Sequence, residues 1–216
     1  MKKTISVCIF SYNYAHLLAH SIESVLCQTR KADKIYVIDD GAKDGVEKVL
    51  EKYKEFNIIP ILREKNLGIV DNFQDVLEKL DTSHAMMLGA DNYIHPKTLE
   101  TLQKFNEDIV SYDIILFGTE AKSFSKKVNT CKEVNGYILW QFSKEDINIR
   151  NYIHGSSLYN VAMAKKFGYK KNPKSRLSEE DYMLWKAMIL EGNATHRHIK
   201  KPFLYYRRHK NNFQKY

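Results

Sequence analysis

Met86-Met87-Leu88-Gly89-Ala90-Asp91-Asn92 is a short apolar run that ends abruptly in a carboxylate followed by an amide. Such a run predicts a buried strand whose carboxyl end delivers Asp91 to the rim of a sheet. In an open α/β sheet the loops beyond the carboxyl ends of the strands converge on a crevice, and that crevice is where such folds bind ligands. One oxygen ligand on a short loop suits a divalent cation that takes its other ligands from a diphosphate, as Mg²⁺ does. The same residues would also serve as a plain strand-to-helix turn capped by Asp91 or Asn92. The flanking chain has to decide between the two.

Upstream, Thr4 to Phe10 is β-branched and apolar and predicts a first strand, followed by turn residues Ser11-Tyr12-Asn13-Tyr14. Leu17, Leu18, Ile22, Val25 and Leu26 recur at helical spacing within Ala15 to Gln28. Lys34 to Ile38 makes a second strand ending in Asp39-Asp40-Gly41, a helix runs from Asp44 to Phe56, and Ile58 to Leu62 is a third strand. Asn66-Leu67-Gly68 opens a helix reaching Leu80, with Val70, Phe73, Val76, Leu77 and Leu80 on one face.

Downstream, Pro96 suits a first helical position because its missing N–H is unneeded there. That helix reaches Asn106, and Asp113 to Phe117 is a fifth strand. Strands alternating with helices at this spacing predict a mostly parallel sheet covered on both faces. Parallel strands would put Tyr12-Asn13, Asp39-Asp40 and Asp91-Asn92 on one rim. From Gly118 to Arg150 the chain is lysine-rich and polar, broken by Trp140 and Phe142, and shows no assignable period. Gly155 to Tyr159 reads as a strand, Val161 to Phe167 as a short helix, and the chain then forms a basic loop through Arg176. Ser178-Glu179-Glu180-Asp181 starts a helix with Leu184, Trp185, Met188 and Ile189 on its apolar face, stopped by Gly192. Thr195 to Tyr206 holds two β-like runs around Lys200-Lys201-Pro202, and Arg207 to Tyr216 is polar and basic.

A chain of 216 residues lies at the upper end of what one hydrophobic core supports, so one domain is expected. Hydrophobic residues at 44% with charged residues at 28% give a soluble globular composition. No apolar run approaches the roughly 20 residues that span a bilayer. The run from Ile5 to Phe10 is too short for a signal-peptide core, so a mature cytosolic start is expected. Cys8, Cys27 and Cys131 are odd in number and lack zinc-ligand spacing, which reads as reduced thiols. The net charge of +8 fits nucleic acid, an anionic membrane surface or an anionic small substrate. Lysines are spread along the chain, with one denser patch at Arg207-Arg208-His209-Lys210, so no continuous nucleic-acid stripe is indicated.

In order, the chain therefore carries a strand ending in Ser-Tyr-Asn, a helix closing on Ser-Val-Leu-Cys-Gln-Thr, and a strand ending in Asp-Asp-Gly. Asn-Leu-Gly opening a helix, Gly-Ala-Asp-Asn, a late Glu-Asp-Tyr and a terminal Tyr-Arg-Arg-His follow. This series resembles the family 2 glycosyltransferases. The match is dense from Ile5 to Phe117, resumes between Gly155 and His209, and is absent between them. The resemblance implies a single Rossmann-like α/β domain of the GT-A type over residues 1–216, with a nucleotide-sugar-binding half at 1–117 and an acceptor-binding half at 118–216.

Residue by residue, the resemblance implies that Ser11, Tyr12 and Asn13 border the nucleotide, with Tyr12 against the base and Asp40 accepting a hydrogen bond from a ring N–H such as uracil's. Asn66 and Gly68 would pass near the nucleotide, and a helix N-terminus there is also a natural anion site. Ala90 and Asp91 would meet the donor. Asp91 stands at the metal-binding acid of the Asp-X-Asp motif, and Gly89 replaces that motif's first acid. His209 would complete the shell of Mg²⁺ or Mn²⁺, and Arg207 or Arg208 would clamp phosphate. Asp181 matches the general base.

Each position also has a plainer reading. Asp39-Asp40-Gly41 would be a turn, Asn66 a helix cap, and Arg207 to Lys210 a solvated tail. Ser178 to Asp181 resembles a capping box, in which a helix N-terminus would keep Asp181 ionised and weakly basic. Trp140, Trp185 and the tyrosines read as core or acceptor groove. The function implied is inverting transfer of a sugar from a nucleoside-diphosphate donor, UDP-based, to a hydroxyl of a glycan or lipid-linked glycan, with Lys170 to Arg176 and the unassigned middle shaping the acceptor site. Location in the cytoplasm, with peripheral contact to the inner membrane face, and no nucleic-acid partner complete the expectation. Two rivals stand beside it: a catalytically weak nucleotide-sugar-binding module of the same fold, and a nucleotidyltransferase, which would want a glycine- and basic-rich phosphate loop that Ser11 to Tyr14 lacks.

Overall fold

The computed structural model describes residues 3–128, 130–142, 146–173, 179–210 and 212. In chain order its elements are β1 (Ile5–Ser11), α1 (Ala15–Leu26), β2 (Lys34–Asp39), α2 (Val46–Glu51), β3 (Ile58–Leu62), α3 (Ile69–Lys79), β4 (His84–Gly89), β5 (Tyr93–Ile94) and α4 (Thr98–Leu102). Then come β6 (Ile109–Phe117), α5 (Ala121–Ser125), β7 (Cys131–Val134), β8 (Tyr137–Trp140), β9 (Leu158–Asn160), α6 (Val161–Phe167), α7 (Glu180–Leu190) and β10 (His196–Arg207).

The described strands form one sheet in the order β3-β2-β1-β4-β9-β6-β10-β5, with the β7–β8 hairpin added beside β6. Strands β1 to β4 are parallel, and so are β6 and β10. Short β9 runs antiparallel between β4 and β6, which keeps those two long strands pointing the same way. The carboxyl ends of β1, β2, β4, β6 and β10 therefore share one rim.

Alternation along β1 explains the helices on both faces. Val7 and Ile9 point to a core that also contains Val37, Met86 and Leu88, and Leu18, Ile22 and Val25 of α1 close over it. Cys8 points the other way, to Ile38 and Met87, under Val76 and Leu77 of α3 and Leu184, Trp185 and Met188 of α7. Full burial of each such side chain contributes about 1.5–3 kcal/mol. A buried polar chain joins β6 to β10. His198 Nε2 lies 2.9 Å from Asp113 Oδ1, and the Ser111 hydroxyl lies 2.9 Å from His198 Nδ1 and 2.8 Å from His196 Nε2.

Several elements differ from the sequence expectation. The helices α2 and α4 are shorter than the predicted spans 44–56 and 96–106. From His196 the stretch read as two runs is one bulged strand, because register shifts at Pro202 absorb the break that two separate runs would have needed. Only Leu158–Asn160 of the predicted strand near 155–159 is extended. The unassigned middle folds as α5 and the β7–β8 hairpin, whose turn places Asn135 and Gly136 at positive φ. The capping box read at Ser178 to Asp181 falls partly outside the described residues. Helix α7 starts after Glu179, which is left-handed with φ 45° and makes no side-chain cap, while Ser178 lies outside the described residues. Lys174 and Arg176 of the basic loop also lie outside them. Among the described residues no helix is long and apolar enough to cross a membrane.

Gly41 lets two rim loops approach. It takes φ +78°, and a Cβ there would stand 2.6 Å from the backbone carbon of Lys65. Gly41→Ala is therefore expected to lower stability by more than the roughly 1–2 kcal/mol of left-handed strain alone. Urea unfolding checks this, and an unchanged midpoint would contradict it.

Candidate functional site

The strand ends enclose a cleft of about 1050 Å³. Ser11, Tyr12, Asn13, Asp40, Asn66, Gly68, Asp91, Asp181 and His209 all line it. Ala90 does not: its methyl is in the core and its N–H donates to Phe10 O at 2.9 Å, so only its carbonyl is left for any donor contact.

At one end Tyr12 is 47% exposed, which leaves its ring face open to a flat ligand, and the Ser11 hydroxyl is buried without a hydrogen-bond partner among the described residues. Asp40 Oδ1 accepts the N–H of Leu67 at 2.9 Å and Oδ2 that of Gly68 at 3.2 Å. Arg63 Nε stands 3.8 Å from Oδ1 and is itself bonded to Asn72 Oδ1, with its NH2 on Asp75. Asp40 thus ties the 66–68 loop to the end of β2. The N–H groups of Leu67 and Gly68, which precede the first turn of α3, are thus taken by the protein's own carboxylate. Each carboxylate oxygen retains a further lone pair for a ligand N–H. Asn66 is exposed and does not cap α3, whose N-cap is Gly68.

Asp91 is 8% exposed, and its Oδ2 accepts the Asn212 amide at 3.1 Å and faces His209 Nε2 at 3.4 Å. Asn212 Oδ1 accepts the His209 N–H at 2.6 Å, so one amide orients both groups. Burial raises the Asp91 pKa, and the His209 imidazole opposes the rise. An oxygen and an imidazole nitrogen converging on one point fit a divalent ion, although no group of three or more His, Cys, Asp or Glu able to hold a metal occurs among the described residues. Such a pair needs the diphosphate to supply further ligands. The first motif acid is not merely absent: a Cβ at Gly89 would stand 2.8 Å from both Asn92 Nδ2 and Asp91 Oδ1. Arg207 and Arg208 do not line the cleft. Arg207 Nε donates to Asp91 O at 3.1 Å with its guanidinium over Phe117, and Arg208 is buried against Phe124, so the expected phosphate clamp is not present.

Asp181 lies in the first turn of α7, partly open to the cleft. Its Oδ1 accepts the Tyr182 N–H at 2.7 Å and Asn151 Nδ2 at 3.5 Å. Burial, reinforced by the neighbouring Glu180 carboxylate, pushes its pKa up to about 7. The expected helix-terminus effect is overruled, since desolvation outweighs it and makes this carboxylate a base poised near neutrality.

Sequence reasoning missed Asn151, His154, Asn72 and Asn212, polar groups without motif spacing that the fold brings to the cleft. Trp140 lines the cleft and Trp185 is core.

The profile of glycosyl transferase family 2 matches residues 6–168. Over 196 residues, 85% of this chain and 64% of the relative, the sequence is 27% identical to an uncharacterized glycosyltransferase of Methanocaldococcus jannaschii. Over 121 residues, 54% of this chain and 34% of the relative, it is 29% identical to a cholesterol galactosyltransferase of Borreliella burgdorferi. Among solved structures, S. aureus TarS 1-349 in complex with UDP-GlcNAc matches 97% of this chain and 60% of its own, with TM-score 0.72 and 19% identity. A mannosyltransferase from Pyrobaculum calidifontis in complex with GDP-Man and Mn²⁺ matches 94% and 55%, with TM-score 0.64 and 15% identity. The chain thus spans about a third to two thirds of the length of these proteins, and its fold is of the GT-A glycosyltransferase type.

An acid whose folded pKa is raised binds its proton more tightly folded than unfolded, so stability falls as pH rises from about 4 to about 7 and is flat above. Asp181→Asn removes that loss. Its melting temperature is expected to exceed wild type at pH 8 by several degrees, about 2–4 °C for each kcal/mol, with the gap closing towards pH 4. A gap independent of pH in differential scanning calorimetry would contradict the burial argument.

Proposed function

The chain belongs to glycosyl transferase family 2, and on that premise we propose that it transfers a sugar from a nucleoside-diphosphate donor, UDP-based, to an acceptor hydroxyl with inversion. The observation that carries this reading is the meeting of Asp40, Asp91 and Asp181, far apart in the sequence, around one cleft.

Tyr12 lies against the base and Asp40 accepts its ring N–H. A base lacking that N–H would forgo one bond to a carboxylate that keeps the N–H groups of Leu67 and Gly68, which is a basis for discrimination. Asp91 and His209 would hold Mg²⁺ or Mn²⁺, which when bound supplies Lewis-acid neutralisation of the departing diphosphate. Asp181 takes the proton of the attacking hydroxyl on the face of the sugar opposite the leaving group, so displacement is direct and the anomeric configuration inverts. Trp140, Phe142 and Tyr206 wall the acceptor end, where a glycan or lipid-linked glycan would enter. With a lipid-linked acceptor, the +8 charge favours dwelling at an anionic membrane surface. The filled position at Gly89 favours one second reading, a nucleotide-sugar-binding module with little activity.

Two measurements test this. In a thermal-shift panel of UDP, GDP, dTDP and CMP with and without Mn²⁺, UDP with Mn²⁺ is expected to give the largest shift. Equal shifts from all four would remove the base-reading role of Asp40. Slow hydrolysis of the matching nucleotide sugar is expected to fall about 10²-fold or more in Asp181→Ala and in Asp91→Ala. In wild type it is expected to decline about tenfold per pH unit below about 7. Hydrolysis that is undetectable in wild type while the donor still binds would establish the binding module instead.

A further inference from the structure

We propose that Asn151 is a positioning residue that holds one oxygen of the Asp181 carboxylate against the cleft wall and leaves the other to receive the acceptor's proton. This rests on the reading of Asp181 as the base. The segment from Asn151 to Ser156 is not helix or strand, yet it is pinned at two points to Tyr112, a fully buried residue of β6. His154 Nε2 donates to Tyr112 O at 3.0 Å, and the Tyr112 hydroxyl donates to Ser156 O at 2.5 Å. Ser157 closes the far side, its N–H and hydroxyl both donating to His154 O, at 3.1 and 2.8 Å.

At the near side Asn151 Oδ1 accepts the N–H of Ile153 at 3.0 Å, which fixes the plane of its amide and turns Nδ2 towards Asp181. Asp181 Oδ1 then has two donors, Asn151 Nδ2 at 3.5 Å and Tyr182 N–H at 2.7 Å. No N–H or O–H of the described residues bonds to Oδ2. That oxygen is bordered by Gly155, where an added Cβ would stand 3.1 Å away. The two oxygens are thus made different by the loop: one is tied down by two donors, and the other is bordered by a residue without a side chain.

The remaining groups facing this carboxylate are Glu180 on the same helix, Glu179 at its cap, and Tyr169 beyond α6, whose hydroxyl is occupied with that of Tyr159. Both glutamates disfavour the ionised form and the Asn151 amide favours it. Removing the amide therefore makes the base harder to ionise.

The test follows the Asp carboxyl carbon by ¹³C NMR, with Asp181→Asn assigning the resonance, so that it needs no donor. Asn151→Ala is expected to raise the Asp181 titration midpoint by about half a pH unit or more. It is also expected to move the acid limb of UDP-GlcNAc hydrolysis by the same amount, with the donor KM within about twofold of wild type. Gly155→Ala, which keeps the amide but crowds Oδ2, is the second variant. It is expected to lower kcat while its Asp181 midpoint moves less than in Asn151→Ala. An unchanged midpoint in Asn151→Ala, or a loss of rate equal at all pH values, would overturn the proposal. If Asp181→Asn hydrolyses the donor as well as wild type, the base assignment fails, and the NMR midpoint still reports whether Asn151 governs this carboxylate.

Discussion

Parallel pairing of β1 with β2 on one side and β4 on the other is the constraint on which the rest depends. Its register sets Ser11 opposite Asp39 and Phe10 opposite Gly89. Side chains alternate with a period of two, so a slip of one residue in either pairing would turn the apolar set of a strand to the wrong face. Burial on both faces therefore locks the register, and the locked register places Asp40 and Asp91 just past the rim. Hydrogen bonds from Asp40 N–H to Ser11 O and from Ala90 N–H to Phe10 O carry the ladder into the loops. The cleft is in this sense a by-product of how the core packs.

At that rim three acids occupy different environments. Asp40 is met by backbone N–H groups, Asp91 by an imidazole and an amide, and Asp181 by another carboxylate on its own helix. Burial raises the pKa of both Asp91 and Asp181, so their partners distinguish them: an imidazole opposes the rise at Asp91, whereas a carboxylate adds to it at Asp181. Position on an element sets each field. Asp40 follows a strand and meets the next loop, whereas Asp181 begins a helix whose first turn carries Glu180 beside it.

The first half of the fold was legible in the sequence because its elements alternate cleanly: short β-branched runs, then apolar residues at helical spacing, as in Leu18, Ile22 and Val25. Asp91 stood out because it ends an apolar run, whereas Asp40 and Asp181, which alone read as a turn and a helix cap, took their roles from the family resemblance. The region after Gly118 was opaque for a physical reason. The β7–β8 strands are four residues each and half exposed, so neither periodicity nor burial leaves a pattern. Asn151, His154 and Asn212 could not be found either, since their roles come from contacts across 30 to 121 positions of chain. The ionisation of Asp181 was misjudged for a related reason: a helix N-terminus is visible in sequence, whereas the desolvation that outweighs it is set by tertiary packing.

The space in front of Gly89 couples positions that look independent. Asn92, whose Nδ2 fills that space, uses its Oδ1 to accept the N–H of Arg207 at 2.8 Å and so anchors the end of β10. An acid introduced at 89 would push against Asn92 and, through it, the last strand of the sheet. A larger side chain at 89 is therefore accommodated only with a shift of Asn92 and Asp91, and the first of these shifts reaches the end of β10.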